Sequence, residues 1–511
     1  MRAITGTVLL VCAMAMPTMT ADAQRARPQT LQRQEVSRVQ VQSVTVREAL
    51  QDDAVQAEMR DHVRNIDSRA AARRAPTDAL TPLRIGREFD QPDPTDRLLS
   101  DAELSALANP EQRSGRATIG TVTDRAVARA ESASPILRRP TARPSGPGSI
   151  ARPPQPYLDV QGFADDLHAA LENSVQGYEM RMRRNGQTIY TLQWNWAQTP
   201  ADSSLPWGPD RRQHIVSISK FITTMGLTHL LDAEGIDYNT PIISYLPDYW
   251  QTGAGVENIT FAHLMNHRSG IVTGNNSDAS YGRMRSLIAA GVSNPGMPSG
   301  YSNANFALCR ILMATMAGYI DTDADFGATN DLMWNWITIL SYADYIEQNV
   351  FTPAGVNGPV LDNTSDSARA YGWNDTGTGW DSSETVDGQS GGTALFGQAG
   401  GVVWHMSPDE LLDVVGEFRR GGGIVSPARA IEIFNASYGL NSPVNGQTSP
   451  AGRFYYKPGY WGTGSQAEQA FVMILPEQIE VAIFVSSMIG PNDASLQNLG
   501  RTLYLNNVIE P

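Results

Sequence analysis

Of the 39 basic residues in this chain, 37 are arginine and only two, Lys220 and Lys457, are lysine. An arginine guanidinium stays protonated at any accessible pH, whereas a lysine amine can be tuned by its surroundings to lose its proton. A chain that uses arginine wherever a positive charge suffices therefore marks its two lysines as candidates for chemistry. Lys220 lies three residues after Ser217 in Ser217-Ile218-Ser219-Lys220. On a helix that spacing puts hydroxyl and amine on one face, within reach of each other. A serine hydroxyl is a poor nucleophile until a neighbouring base takes its proton, and a desolvated lysine amine can serve as that base. Alone the spacing is a weak signal, met by composition in roughly one chain in seven, and an exposed lysine on an ordinary helix is the plain alternative.

The second lysine changes that weighing. Lys457-Pro458-Gly459 follows Arg453-Phe454-Tyr455-Tyr456, which reads as a strand, and Tyr301-Ser302-Asn303 lies between the two lysine motifs. Ser-x-x-Lys, Tyr-x-Asn and Lys-x-Gly, in that order, resemble the motif set of the serine β-lactamase and penicillin-binding-protein superfamily. The nearest likeness is to its class C-like branch, with its related esterases and D-aminopeptidases. Further segments carry the same resemblance: His263-Leu264-Met265-Asn266-His267-Arg268-Ser269-Gly270-Ile271, Ser341-Tyr342 to Val356 with its Pro353-Ala354-Gly355 turn, and Gln398-Ala399-Gly400-Gly401. The likeness covers about residues 157–511 and nothing before them.

The resemblance implies an α+β fold, an antiparallel sheet flanked by helices plus a helical subdomain, with the site between them. It also implies roles. Ser217 would attack an acyl carbon, and Lys220 and Tyr301 would share the base role. Asn303 would position Lys220 and a substrate amide, and Lys457 would supply the second positive charge. The backbone N–H groups of Ser217 and Tyr460 would form an oxyanion hole, with Gly459 in the strand motif beside it. No metal or organic cofactor enters this scheme, and the partner would be a small ester, amide or lactam. One departure bears on substrate. The family's hydroxyl residue between lysine and glycine, which often contacts a substrate carboxylate, is here Pro458, with neither hydroxyl nor N–H. That shifts the expectation from β-lactams towards esters and simple amides; D-peptides and a binding protein without turnover are the other readings.

Three features compete with this site. Gly388-Gln389-Ser390-Gly391-Gly392 has the form of a nucleophile elbow, but sits in a Gly/Ser/Thr-rich stretch rather than between strand and helix. His263 and His267 have metal-ligand spacing without the glutamate that would follow His263 in a zinc helix, and read as structural. Cys309 reads as core, and the Trp334-Asn335-Trp336 patch as core or pocket wall.

The remaining chain has to present these residues. With 511 residues, 41% of them apolar, a large core is affordable, and a formal charge of −14 argues against a nucleic-acid partner. Two cysteines, Cys12 and Cys309, exclude a disulfide scaffold. Residues 1–23 read as a secretory signal, with an apolar stretch from Val8 to Met16 and an Ala21-Asp22-Ala23 cleavage site, which predicts a periplasmic or secreted protein. Residues 24–156 carry 21 arginines against 17 acids and end in a proline-rich run, which predicts an arm or linker without a packed core. Residues 157–511 carry 17 basic and 35 acidic residues and form the catalytic-domain candidate, with no transmembrane span.

Within that domain, helical patterns cover Phe163–Leu171, Ser217–Ala233 ending at Gly235, and about Ala494–Asn507. Tyr178–Arg183 and Thr188–Trp194 read as a hairpin on an Asn185-Gly186 turn, and Ala470–Leu475 and Glu480–Ser486 as two more strands. Strands near both ends predict a sheet that joins the termini. Asp321–Asn335 and Asn374–Gly392 read as insertions that shape the pocket.

Overall fold

The computed structural model describes residues 155–510 apart from 173, 272–278, 298–299, 357–365, 373–387, 390–395, 464 and 491. Residues 1–23, read as a signal, nearly all of residues 24–156, read as an arm, Ser390 and most of the second expected insertion lie outside the described residues.

Strand β1 (Tyr157–Leu158) and helix α1 (Val160–Leu171) lead into β2 (Gly177–Arg184), β3 (Gln187–Gln198), β4 (Leu205–Pro206) and β5 (Gln213–His214). Five helices follow: α2 (Ile218–Glu234), α3 (Phe261–Met265), α4 (Tyr281–Ala290), α5 (Asn303–Met316) and α6 (Asn330–Ile346). Then come β6 (His405–Met406), α7 (Pro408–Gly416), α8 (Pro427–Ala436), β7 (Gln447–Ser449), β8 (Gly452–Gly462), β9 (Ala467–Leu475), β10 (Ile479–Val485), α9 (Leu496–Asn506) and β11 (Val508–Ile509).

The main sheet runs β4-β3-β2-β10-β9-β8-β7, with every pairing antiparallel. The N-terminal hairpin thus lies against β10, the last strand of this sheet in chain order, so the sheet joins the two ends of the domain as the strand pattern requires. The hairpin turn is the expected Asn185-Gly186, both at positive φ (51° and 78°), the combination a two-residue turn between right-twisted strands needs.

Period-2 alternation divides the sheet between two cores. Met180, Met182, Phe471, Met473, Val481 and Ile483 face α1 and α9. Ala470, Val472, Ile474, Ala482 and Phe484 face the other way, into the large core built with α2, α5 and α6. Because β9 and β10 are covered on both faces, they read as almost unbroken apolar runs. Cys309 and Trp334 are core residues, as expected, and burial raises the Cys309 thiol above its ordinary pKa. The first insertion is a short 3₁₀ turn (Gly327–Thr329) followed by the start of α6. Among the described residues no helix is long and apolar enough to cross a membrane.

Candidate active site

Helix α2 begins one residue after Ser217, which takes the N-cap position. The helix ends at Gly235 (φ 66°), in the left-handed conformation that glycine adopts without strain. Immediately before the serine, Val216 is held at φ 47°, a conformation that costs a β-branched residue about 1–3 kcal/mol. That sharp entry turns the chain from β5 into α2 and puts Ser217 at the head of the helix. The i, i+3 spacing does what the sequence indicates: Lys220 Nζ lies 2.9 Å from Ser217 Oγ. Both residues are buried, and Lys220 is at 0% exposure. An amine so placed has exchanged water for a few fixed partners.

Lys220 has a second partner that the sequence did not disclose. Its Nζ donates to the Gly401 carbonyl at 3.2 Å. The neighbouring Gly400 is at φ 95°, and a side chain there would meet the Phe306 carbonyl oxygen at 2.3 Å, so glycine is required. The Gly400 carbonyl accepts from Thr223 on α2 at 2.5 Å. The Gln398–Gly401 segment, which the sequence marked only by resemblance, is thus a backbone clasp on the lysine-bearing helix.

The Tyr301 hydroxyl accepts from Lys457 Nζ at 2.9 Å. The Nζ atoms of Lys220 and Lys457 each lie 4.9 Å from the centroid of the Tyr301 ring. The only two lysines of the chain therefore meet at one phenol. Lys457 also donates to Asn441 Oδ1 at 2.7 Å, a contact that nothing in the sequence pattern signalled. Asn303, at the start of α5, donates to Gln398 Oε1 at 3.3 Å, tying the Tyr-x-Asn motif to the same clasp.

The two histidines read as structural part company. His263 closes a capping box with Thr260 at the start of α3. His267 stacks on Tyr301, with centroids 4.0 Å apart and planes 26° apart. Its Nδ1 accepts from the Ser302 N–H at 3.2 Å. Burial, with the charges of Lys457 and Lys220, holds it well below the usual imidazole pKa, so the ring beneath Tyr301 is neutral.

Strand β8 supplies Lys457, Pro458, Gly459 and Tyr460. Its outer neighbour β7 pairs only with Gly452–Phe454, so at Pro458 the outer edge of β8 has no strand partner and loses no ladder bond to the proline. That edge faces the turn before the nucleophile. A Cβ on Gly459 would lie 2.2 Å from the Ile215 carbonyl oxygen and 3.2 Å from Val216 Cβ. Tyr460 points away and donates to Asp493 Oδ2 at 2.7 Å, anchoring the strand from behind. Gly459→Ala is expected to destabilise the fold by about 1–3 kcal/mol, because neither backbone can yield. Thermal unfolding checks this, and an unchanged melting temperature refutes the close approach.

Every residue selected from the sequence thus lies on an element that meets at this site: Ser217 and Lys220 on α2, Tyr301 and Asn303 at the head of α5, and Lys457 to Tyr460 on β8. An antiparallel sheet with flanking helices and a Ser/Lys/Tyr/Lys cluster, its serine and both lysines buried and its tyrosine half-buried, defines an α+β protein of a known class. Residues 160–505 match the Beta-lactamase family, and the chain belongs to it; its members are in general serine hydrolases. Similar solved structures include the octameric penicillin-binding protein homologue from Pyrococcus abyssi (18% identity, 65% of this chain and 74% of that chain, TM-score 0.49). Another is D-amino acid amidase from Ochrobactrum anthropi SV3 complexed with L-phenylalanine amide (18%, 67% and 96%, 0.45). A third is Beta-lactamase/D-alanine carboxypeptidase from Yersinia pestis complexed with citrate (15%, 68% and 97%, 0.47).

Proposed function

We propose that the chain is an exported serine hydrolase that cleaves a small ester or amide through an acyl-serine intermediate. The observation that carries this reading is the 2.9 Å contact between Lys220 Nζ and Ser217 Oγ at a helix N-terminus. With its amine unprotonated, Lys220 accepts the hydroxyl proton as Oγ attacks the acyl carbon. Tyr301, with an ammonium on either side, carries negative charge on its oxygen at least cost and protonates the leaving group. The N–H groups of Ser217 and Tyr460 stabilise the oxyanion. Tyr301 then takes a proton from a water as that water attacks the acyl carbon, and Lys220 returns its proton to Ser217 Oγ as the acyl group leaves, so the site returns to its starting state.

The ester or amide preference rests on Pro458, which puts neither a hydroxyl nor an N–H where a carboxylate-binding residue is expected. The uneven use of lysine favours turnover over mere binding, since a site that only binds has no need of a titratable amine. Export rests on the Val8–Met16 stretch and the Ala21-Asp22-Ala23 site alone.

Hydrolysis of a short-chain nitrophenyl ester, run beside a chromogenic cephalosporin with wild type and Ser217→Ala, tests the reading. The expected result is ester turnover that is lost in the variant, with little cephalosporin cleavage. Fast cephalosporin cleavage keeps the mechanism and overturns the substrate preference. Ester turnover that survives Ser217→Ala overturns the mechanism.

A further inference from the structure

Behind the nucleophile lies a buried polar cluster that the chemistry above does not use. His214 on β5 and Glu468 on β9 are both at 0% exposure. His214 Nδ1 lies 3.1 Å from Glu468 Oε1, and its Nε2 bonds the Val402 carbonyl. His405 on β6 stacks against the His214 ring, with centroids 4.9 Å apart, and is its register partner in the β5–β6 pair. Burying this much polarity is costly unless its bonds are made.

The place of these bonds matters. Val402 follows Gly401, whose carbonyl holds Lys220 Nζ. The next residues are also tied to the nucleophile segment: Ile215 N–H donates to the Trp404 carbonyl at 2.9 Å, and Trp404 N–H to Ser219 Oγ at 3.1 Å. His214 itself stands three residues before Ser217. We infer that His214 and Glu468 are a positioning pair for Lys220, fixing the Val402 carbonyl and with it the adjoining Gly401 carbonyl on which the amine is hung. The pair deepens the acyl-serine reading and rests on it.

The proton inventory follows from the partners. A carbonyl only accepts, so His214 carries a proton on Nε2. Burial raises the Glu468 carboxyl above its ordinary pKa, while its bond to His214 opposes the shift. An uncharged Glu468 donates its O–H to Nδ1, and a charged one accepts from an imidazolium. In either state Nε2–H stays on Val402.

Two variants and two kinds of spectrum test the pair. His214→Phe removes both bonds and keeps a ring. His214→Gln keeps an N–H near the Nε2 position. With a fluorophosphonate probe and intact mass, folded His214→Phe is expected to label Ser217 at least about tenfold more slowly than wild type, with KM for the nitrophenyl ester changed less than about threefold. His214→Gln is expected to recover to within about threefold of wild type. A folded His214→Phe that labels at the wild-type rate, or a His214→Gln as slow as His214→Phe, overturns the inference. In wild type itself, histidine ¹⁵N spectra are expected to show His214 protonated at Nε2, and an unprotonated Nε2 overturns the inference whatever the variants do. Failure of the wild type to label Ser217 strikes the acyl-serine reading instead. The pair is then read from the two lysine ¹³Cε signals, of which His214→Phe moves that of Lys220; an unmoved signal overturns it.

Discussion

Lys220→Arg is expected to lower ester turnover about 100- to 10,000-fold, the range spanned by loss of a general base. The substitution keeps a positive charge and replaces an amine that can act as a base with a guanidinium that does not give up its proton. A role confined to charge would therefore survive it. The guanidinium must also fit where a single nitrogen now bridges Ser217 Oγ and the Gly401 carbonyl at 0% exposure, and its flat fork does not match that geometry. Both effects act on acylation, so intact mass after mixing with ester is expected to show little acyl-enzyme. Wild-type turnover in a folded Lys220→Arg ends the case for a lysine base, and with it the argument from the uneven use of lysine.

Tyr301→Phe is expected to cost a comparable factor, about 100- to 10,000-fold in kcat, for a different reason. The variant keeps the ring, its stack on His267 and the cation–π contacts with both lysines, and deletes one oxygen. What disappears is the group that passes a proton to the leaving group and activates water. Deacylation suffers most, so the variant is expected to accumulate acyl-enzyme that wild type does not. Lys457, deprived of the Tyr301 oxygen, retains Asn441. Stability is therefore expected to hold while rate collapses; equal losses of both instead point to a purely structural tyrosine.

Much of this site was legible because its chemistry depends on side chains at short spacings or in a fixed order. Ser217 and Lys220 are one helical turn apart, and that alone predicts their contact. The Asn185-Gly186 hairpin and the Gly235 stop were legible for the same reason, since each follows from local backbone preference. The Gly401 and Val402 carbonyls were not legible, because a main-chain acceptor leaves no trace in residue type. Asn441 was hidden by distance along the chain, and nothing about it distinguishes it from other asparagines until β8 brings Lys457 beside it. His267 was misjudged in weight rather than in kind. It is structural, but what it supports is the ring of Tyr301 itself. His214 and Glu468 are 254 positions apart and lie on strands of different sheets, so only the completed fold makes them neighbours.

Both lysines of the chain are enclosed, at 0% and 1% exposure. Reagents that seek amines, such as succinimidyl dyes, surface-coupling chemistries and aldehyde cross-linkers, consequently find no side-chain target on the outside of the folded protein. The same reagents, applied as the fold is loosened, report the moment at which the two lysines open to solvent.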